Sequence, residues 1–343
     1  MESSFISENY SVEKGNWQDE PVYFLRDHHS GAEAMIVPGI GANCVAWSVQ
    51  HAEQKIEILE TPPDPEALRT RRFKAGIPIL WPFPGRVREA RYTFEGREHH
   101  LPVTDKAGVH HIHGLVISAP WQVNLMSIDA GASLRLRISS DELSEAERAG
   151  YPFNFALFVT YTLIGNELLL DARVDNLSNE QNIPFSYGLH PYFRAPLQVS
   201  EAAPDRSACP VLIPAAALWP TQDGLPTGPA QPLAPELDFR EWKPLSSQPF
   251  DHMYSQVSYA DDWTTAAFRD PGLKLEVRVK ADEQYHDWVM FTQPNRPSLC
   301  LEPYTAPPNV INFEQEGLPE SGLTILKPGQ SWNSQVIFEI AGF

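Results

Sequence analysis

The chain has 343 residues and a formal net charge of −18, from 26 Lys and Arg against 44 Asp and Glu. A field of that sign repels phosphate backbones and anionic lipid, which argues against nucleic acid and membrane surfaces as partners and suits a soluble cytoplasmic protein. A hydrophobic share of 42% supplies a large core, while 32 Pro and 20 Gly cut the chain into many short elements and argue against long helices.

In chain order, strands are expected at 35–37 and 45–49, followed by a helix of at most two turns at 65–70. A strand over 121–128 precedes one in which Leu134, Leu136 and Ile138 alternate with Arg135 and Arg137, the period of a strand with one buried face. A second short helix is expected at 141–149. The β-rich runs 155–163 and 168–174 flank Gly165-Asn166, a two-residue hairpin signal. The stretch 196–249, rich in Pro, Ala and Ser, reads as loops with isolated strands inside one fold, because the strand-like character on its two sides is the same. Leu273, Leu275, Val277 and Val279 alternate with charged residues, and further strands are expected at 288–291, 298–302, 323–326 and 335–340. Asp270-Pro-Gly272 and Lys327-Pro-Gly329 mark turns. No fixed-period repeat is present. So many antiparallel strands must stack as a large sandwich or close as a barrel, in one all-β domain over 1–343.

Cys44, Cys209 and Cys300 are odd in number and widely spaced, with no Cys-x-x-Cys pair, so neither a disulfide framework nor a structural zinc site is expected. The first ten residues lack a basic and then apolar signal segment, and no apolar run approaches the roughly 20 residues that span a bilayer.

Two segments concentrate the chemistry. Phe185-Ser-Tyr-Gly-Leu-His190-Pro-Tyr-Phe193 holds an imidazole between an apolar run and a proline, which forces an extended geometry on His190. A free imidazole titrates near pH 6.5, which suits it to move protons, although a half-buried histidine bonding a carbonyl is the plainer alternative. Ser298-Leu-Cys-Leu-Glu302-Pro places a carboxylate in an apolar strand, on the same face as Cys300. Such a group needs either an arginine partner or a function, since an unpaired buried charge costs several kcal/mol. Arg86 ends the proline-stiffened run Ile77-Pro-Ile-Leu-Trp-Pro-Phe-Pro-Gly-Arg, where its planar fork either binds hydroxyls or forms a surface ion pair. Asp251, in Phe250-Asp-His-Met-Tyr254, is a second carboxylate able to accept from vicinal hydroxyls. His99, His100, His110, His111 and His113 invite a metal reading, but imidazoles adjacent in a strand point to opposite faces. The expectation is that His113 reaches a cleft, the others lie at the surface, and no metal is held. Trp81, Tyr187, Phe193, Trp288 and Tyr304 lie in or beside these segments; aromatic faces of this kind can stack on a ligand ring, but with nine Trp in the chain most are expected to be ordinary core.

Together the segments resemble the aldose 1-epimerase (galactose mutarotase-like) family. Gly39-Ile-Gly-Ala42 with Val45-Ala-Trp-Ser48, Gly76 to Arg86, His113-Gly114 with Trp121, Gly188-Leu-His190-Pro-Tyr-Phe193 and Leu301-Glu302-Pro-Tyr-Thr305 occur in the family's order over about 30–340. The resemblance implies a large antiparallel β-sandwich with a pyranose cleft on one sheet. It implies Glu302 as the base that takes the anomeric hydroxyl proton, His190 as the acid that protonates the ring oxygen, and Arg86, His113 and Asp251 as sugar-binding residues. The implied protein is an isomerase that needs no cofactor, takes a small sugar as substrate, and is a monomer or homodimer. Arg71, Arg72 and Lys74 keep open a hexose 6-phosphate, while Pro84-Gly-Arg86 is closer to the free-aldose pattern. A silent sugar-binding protein on the same fold, and a glycoside hydrolase using Asp251 and Glu302, are the competing readings.

Overall fold

The computed structural model describes residues 4–71, 74–198, 206–245, 248–294, 296–319 and 322–343; Arg72 lies outside them. Three large antiparallel sheets make the architecture. The first is a six-stranded meander, Ser4–Ile6, Tyr10–Trp17, Glu20–Asp27, Ala32–Val37, Asn43–His51 and Gln54–Glu57, each strand paired to the next. The second has nine strands in the order Gln122–Ser127, Ala132–Ser139, Phe155–Ile164, Glu167–Asn176, Ser331–Gly342, Leu275–Ala281, Thr264–Asp270, Pro210–Leu212 and Lys243–Pro244. The third runs Gln231–Pro232, Ala215–Leu218, Asp251–Val257, Asp287–Thr292, Ser298–Tyr304, Gly188–Leu189 and Ile79–Leu80, with Phe193–Arg194 also on Ser298–Tyr304.

The six- and eight-stranded sheets adjoin through isolated bridges at Cys44–Ile77 and Leu59–Phe193, and together they face the nine-stranded sheet. Period-two alternation is the cause. Leu134, Leu136, Ile138, Val277, Val279 and Phe338 turn inward from the nine-stranded sheet and are buried with Trp47, Leu299 and Leu301 of the opposite layer in one core. Polar tips reaching the core find partners across the layers: Tyr161 donates to the Ala42 carbonyl at 3.0 Å and Trp288 Nε1 donates to Thr264 Oγ1 at 3.1 Å. This is the β-sandwich expected from the sequence. The Gly165-Asn166 hairpin pairs Ile164 with Glu167, and the two short helices stand at Pro65–Arg71 and Glu145–Gly150. Within 196–249, Pro210–Leu212 joins one large sheet and Ala215–Leu218 the other.

One buried carboxyl has a consequence for stability. Asp287 is 2% exposed and accepts from Trp219 Nε1 at 2.8 Å. Burial pushes its pKa up from 3.8 to about 7, with hydrogen bonds from Trp219 and Ser255 opposing. Below the unfolded value both states hold the proton. As pH rises toward 7 the unfolded chain has lost the proton while the native state keeps it, so stability falls across that window by on the order of 4 kcal/mol. Asp287→Asn is therefore expected to raise the thermal midpoint at pH 8 and leave it near wild type at pH 4. Melts at the two pH values check this; equal midpoints at pH 8 would contradict it.

Candidate active site

The outer face of the eight-stranded sheet carries a cleft of about 300 Å³. Strand Ser298–Tyr304 is buried throughout, and alternation divides it: Leu299 and Leu301 enter the core, while Cys300, Glu302 and Tyr304 face the other way. Register then assembles the floor. Asp251 pairs with Phe291 and Phe291 with Cys300 in one row, and Val289 pairs with Glu302 in the next. His190 follows the two-residue strand Gly188–Leu189, in which Gly188 pairs with Tyr304. The His190 N–H donates to the Pro78 carbonyl at 3.0 Å, which fixes the backbone before Pro191.

His190 Nδ1 and Glu302 Oε1 lie 3.3 Å apart. Each of these atoms is buried without an aligned hydrogen bond. The remaining polar atom of each group is held by a tyrosine. Tyr192 OH is 3.2 Å from His190 Nε2, and its ring stacks on the imidazole at 4.5 Å between centroids and 8° between planes. Tyr304 OH donates to Glu302 Oε2 at 2.9 Å. Each group thus has one polar atom bonded to a tyrosine of the cleft and one, Nδ1 or Oε1, without an aligned partner.

Burial shifts both groups toward their neutral forms. It raises the Glu302 carboxyl well above 4.5, with the nearby Asp251 charge adding and the Tyr304 hydrogen bond opposing. It lowers His190 well below 6.5, helped by His113. Burial thus favours a neutral carboxyl beside a neutral imidazole over a carboxylate beside an imidazolium, two arrangements that differ by the place of one proton.

Arg86 lies in a two-stranded ladder beside the sheet, paired with Ile112, and His113 directly follows that partner strand. His113 has φ +63° and Gly114 +75°, and a side chain on Gly114 would overlap the Trp81 carbonyl. The Gly85 N–H donates to His113 Nδ1 at 3.3 Å, so Nε2 carries the proton of the neutral ring. Burial, and then the charge of Arg86, hold its pKa down to about 3. His113 is thus a neutral N–H donor at the cleft, edge-on to His190 at 5.4 Å. Asp251 stands at the rim, its carboxyl raised by the surrounding protein with Arg86 opposing. Over Arg86 folds a small hairpin, Thr221–Gln222 with Leu225–Pro226. Gly224 there has φ +68°, and a Cβ on it would stand 2.3 Å from Arg86 Nη1.

All five residues singled out in the sequence, Arg86, His113, His190, Asp251 and Glu302, line this one cleft. Among the aromatic residues Tyr304 lines it, whereas Trp81, Tyr187, Phe193 and Trp288 are core. One expectation is corrected: His111 is 1% exposed, not at the surface, because its strand turns it inward, where Nδ1 lies 2.7 Å from the Pro102 carbonyl. Tyr192 carries no sequence signal for this role, because it and His190 lie in the segment between Gly188–Leu189 and Phe193–Arg194, outside any strand. Lys106 and Thr104 of the cleft wall carry no sequence signal. Of the groups that can ligate a metal, His190, Cys300 and Glu302 form a buried cluster with one donor atom each, all within 4.8 Å of one another.

The family model for aldose 1-epimerase matches residues 24–339. Galactose mutarotase of Rattus norvegicus is 30% identical over 285 residues, which cover 75% of this chain and 76% of that protein. The uncharacterized protein YihR of Escherichia coli K12 is 24% identical over 267 residues, 77% of this chain and 78% of its own. The crystal structure of a galactose mutarotase-like protein from Clostridium acetobutylicum superposes with a TM-score of 0.87 over 98% of this chain and 100% of that one, at 23% identity, a likeness of fold. With a family match over nearly its full length, this chain belongs to the aldose 1-epimerase family.

Proposed function

We propose that the protein interconverts the α and β anomers of a hexopyranose by acid–base ring opening and closure. The observation that carries this is the buried pair of unsatisfied atoms, His190 Nδ1 and Glu302 Oε1, 3.3 Å apart at the floor of a sugar-sized cleft. A hemiacetal carries its hydroxyl and its ring oxygen on one carbon, so two adjacent groups can serve both. Glu302 takes the anomeric hydroxyl proton while His190 gives a proton to the ring oxygen. The C1–O5 bond breaks, the aldehyde forms, the C1–C2 bond rotates, and the same two groups with exchanged roles close the ring on the other face. Hydroxyls of the bound sugar that donate to Glu302 favour its carboxylate over the neutral form. Arg86, His113 Nε2–H and Asp251 hold the hydroxyls, and Phe291 and Tyr304 offer apolar surface to the ring. Such assistance contributes about 10²–10⁴-fold. The whole chain acts as one unit, since strands from both halves build the cleft.

A second reading, a hexose 6-phosphate as substrate, is favoured by Lys74 and Lys106, which line the cleft with Arg86. Polarimetry on freshly dissolved α-glucose, α-galactose and α-glucose 6-phosphate in parallel separates the two. Faster mutarotation of a free aldose supports the main reading. Acceleration of the phosphate alone moves the assignment to the second, and none on any of the three leaves a sugar-binding protein.

The pair also sets the pH dependence. Activity requires the singly protonated pair. Lowering His190 moves the acid limb down and raising Glu302 moves the alkaline limb up, so the acid limb of kcat/KM is expected below pH 6.5 and the alkaline limb well above 4.5. A pH–rate profile with its acid limb at the ordinary imidazole value would contradict this.

A further inference from the structure

We propose that His190, Cys300 and Glu302 form a binding site for one thiophilic divalent cation, of which zinc is the type, on the cleft floor, where it excludes the sugar. The site is built from one of each preferred donor: an imidazole nitrogen, a thiol sulfur and a carboxylate oxygen, with a donor atom of each within 4.8 Å of the other two. Zinc bonds of about 2.0–2.1 Å to nitrogen and oxygen in a tetrahedron put those atoms roughly 3.3–3.4 Å apart. His190 Nδ1 and Glu302 Oε1 stand 3.3 Å apart. Both are buried and neither has an aligned hydrogen-bond partner, so a cation takes atoms that nothing else satisfies.

The surroundings suit a metal site in a second way. A ligating histidine usually gives its other N–H to an oxygen that fixes the ring, and ligating carboxylates are themselves held. Tyr192 OH meets His190 Nε2 at 3.2 Å and Tyr304 OH meets Glu302 Oε2 at 2.9 Å, so both ligating groups are already oriented. Cys300 lies on the same strand face two residues before Glu302, with its thiol fully buried. Its sulfur stands within 4.8 Å of the histidine and carboxylate donor atoms. Binding displaces the thiol proton, and the carboxyl proton where Glu302 holds it, to solvent. Thiolate, carboxylate and a doubly charged ion then sum to zero, which removes the cost of burying either anion alone. Three protein ligands leave the fourth position open toward the cleft.

Exclusion of the sugar rests on the reading of His190 and Glu302 as the acid–base pair; the metal site itself does not. The test titrates tag-free protein, first treated with chelator, with Zn2+ by calorimetry and with Co2+ by absorption. One zinc per chain and a thiolate-to-cobalt charge-transfer band are expected. Cys300→Ser is expected to lose the band and to weaken zinc binding by about tenfold or more. In the anomer assay, zinc slows wild type, EDTA restores it, and Cys300→Ser keeps its rate at zinc concentrations that stop wild type. Absence of the cobalt band in wild type, which needs no variant to fold, overturns the site, as does equal zinc affinity in Cys300→Ser. A band without any mutarotation in wild type leaves the metal site standing and refutes the proposed activity instead.

Discussion

Replacing Glu302 by Gln is expected to lower the rate of anomer interconversion by about 10²–10⁴-fold while sugar affinity stays near wild type. The amide keeps the volume and an oxygen for the Tyr304 hydroxyl, which now meets Glu302 Oε2 at 2.9 Å. It removes the proposed acceptor of the anomeric hydroxyl proton, Oε1, 3.3 Å from His190. Because Glu302 is 1% exposed and burial already works against its charge, the amide is not expected to lower stability. Polarimetric progress curves with calorimetric sugar binding check both halves. A rate within about threefold of wild type would remove Glu302 as the base.

Gly114→Ala is expected to cost about 3 kcal/mol or more in stability and to depress activity with it. Gly114 has φ +75°, and an alanine Cβ would stand 2.1 Å from the Trp81 carbonyl oxygen and 2.4 Å from its carbon. These are backbone atoms of a buried segment, so no side chain can swing away. That same carbonyl accepts from the Leu115 N–H at 2.7 Å, a bond that any retreat of the chain would break. His113, the preceding residue and itself at φ +63°, would move out of line with His190. Denaturant unfolding checks the stability loss, and a decrease under about 1 kcal/mol would show that the loop yields where its contacts say it does not.

Where burial follows period-two alternation, the fold is legible in the sequence. The hairpin of Phe155–Ile164 with Glu167–Asn176 is marked at both strands and at its turn. Tyr10–Trp17 and Glu20–Asp27 are not, for two reasons. The first runs through Glu13-Lys-Gly-Asn16, whose solvent face hides the alternation, and the pair turns at Gln18-Asp19, with φ +54° at Gln18, rather than at an Asn-Gly dipeptide. Thr264–Asp270 is likewise masked by Ala266 and Ala267, small residues that carry little strand signal although both are buried.

The cleft is legible to the extent that it is built from strand neighbours. Glu302 and Cys300 share a face by spacing alone. The approach of Asp251 to Phe291 and Cys300 depends on register between strands distant in sequence, and the covering of Arg86 by the hairpin at Gly224 depends on a loop packing that no local pattern encodes. Tyr192 lies outside any strand, beyond the same spacing rule, and its importance emerges only with the 3.2 Å contact to His190 Nε2. The resemblance to a family supplies roles for these residues; the geometry supplies a physical reason for two of them, a nitrogen and an oxygen left unsatisfied and facing each other.

The most direct measurement is magnetisation exchange between the α and β anomers of a free hexose at equilibrium, recorded by NMR with and without the purified protein. The account predicts exchange that grows in proportion to protein concentration, with no change in the position of equilibrium. Exchange at the uncatalysed rate, for every free hexose tried and at protein concentrations where sugar binding is established, would contradict it.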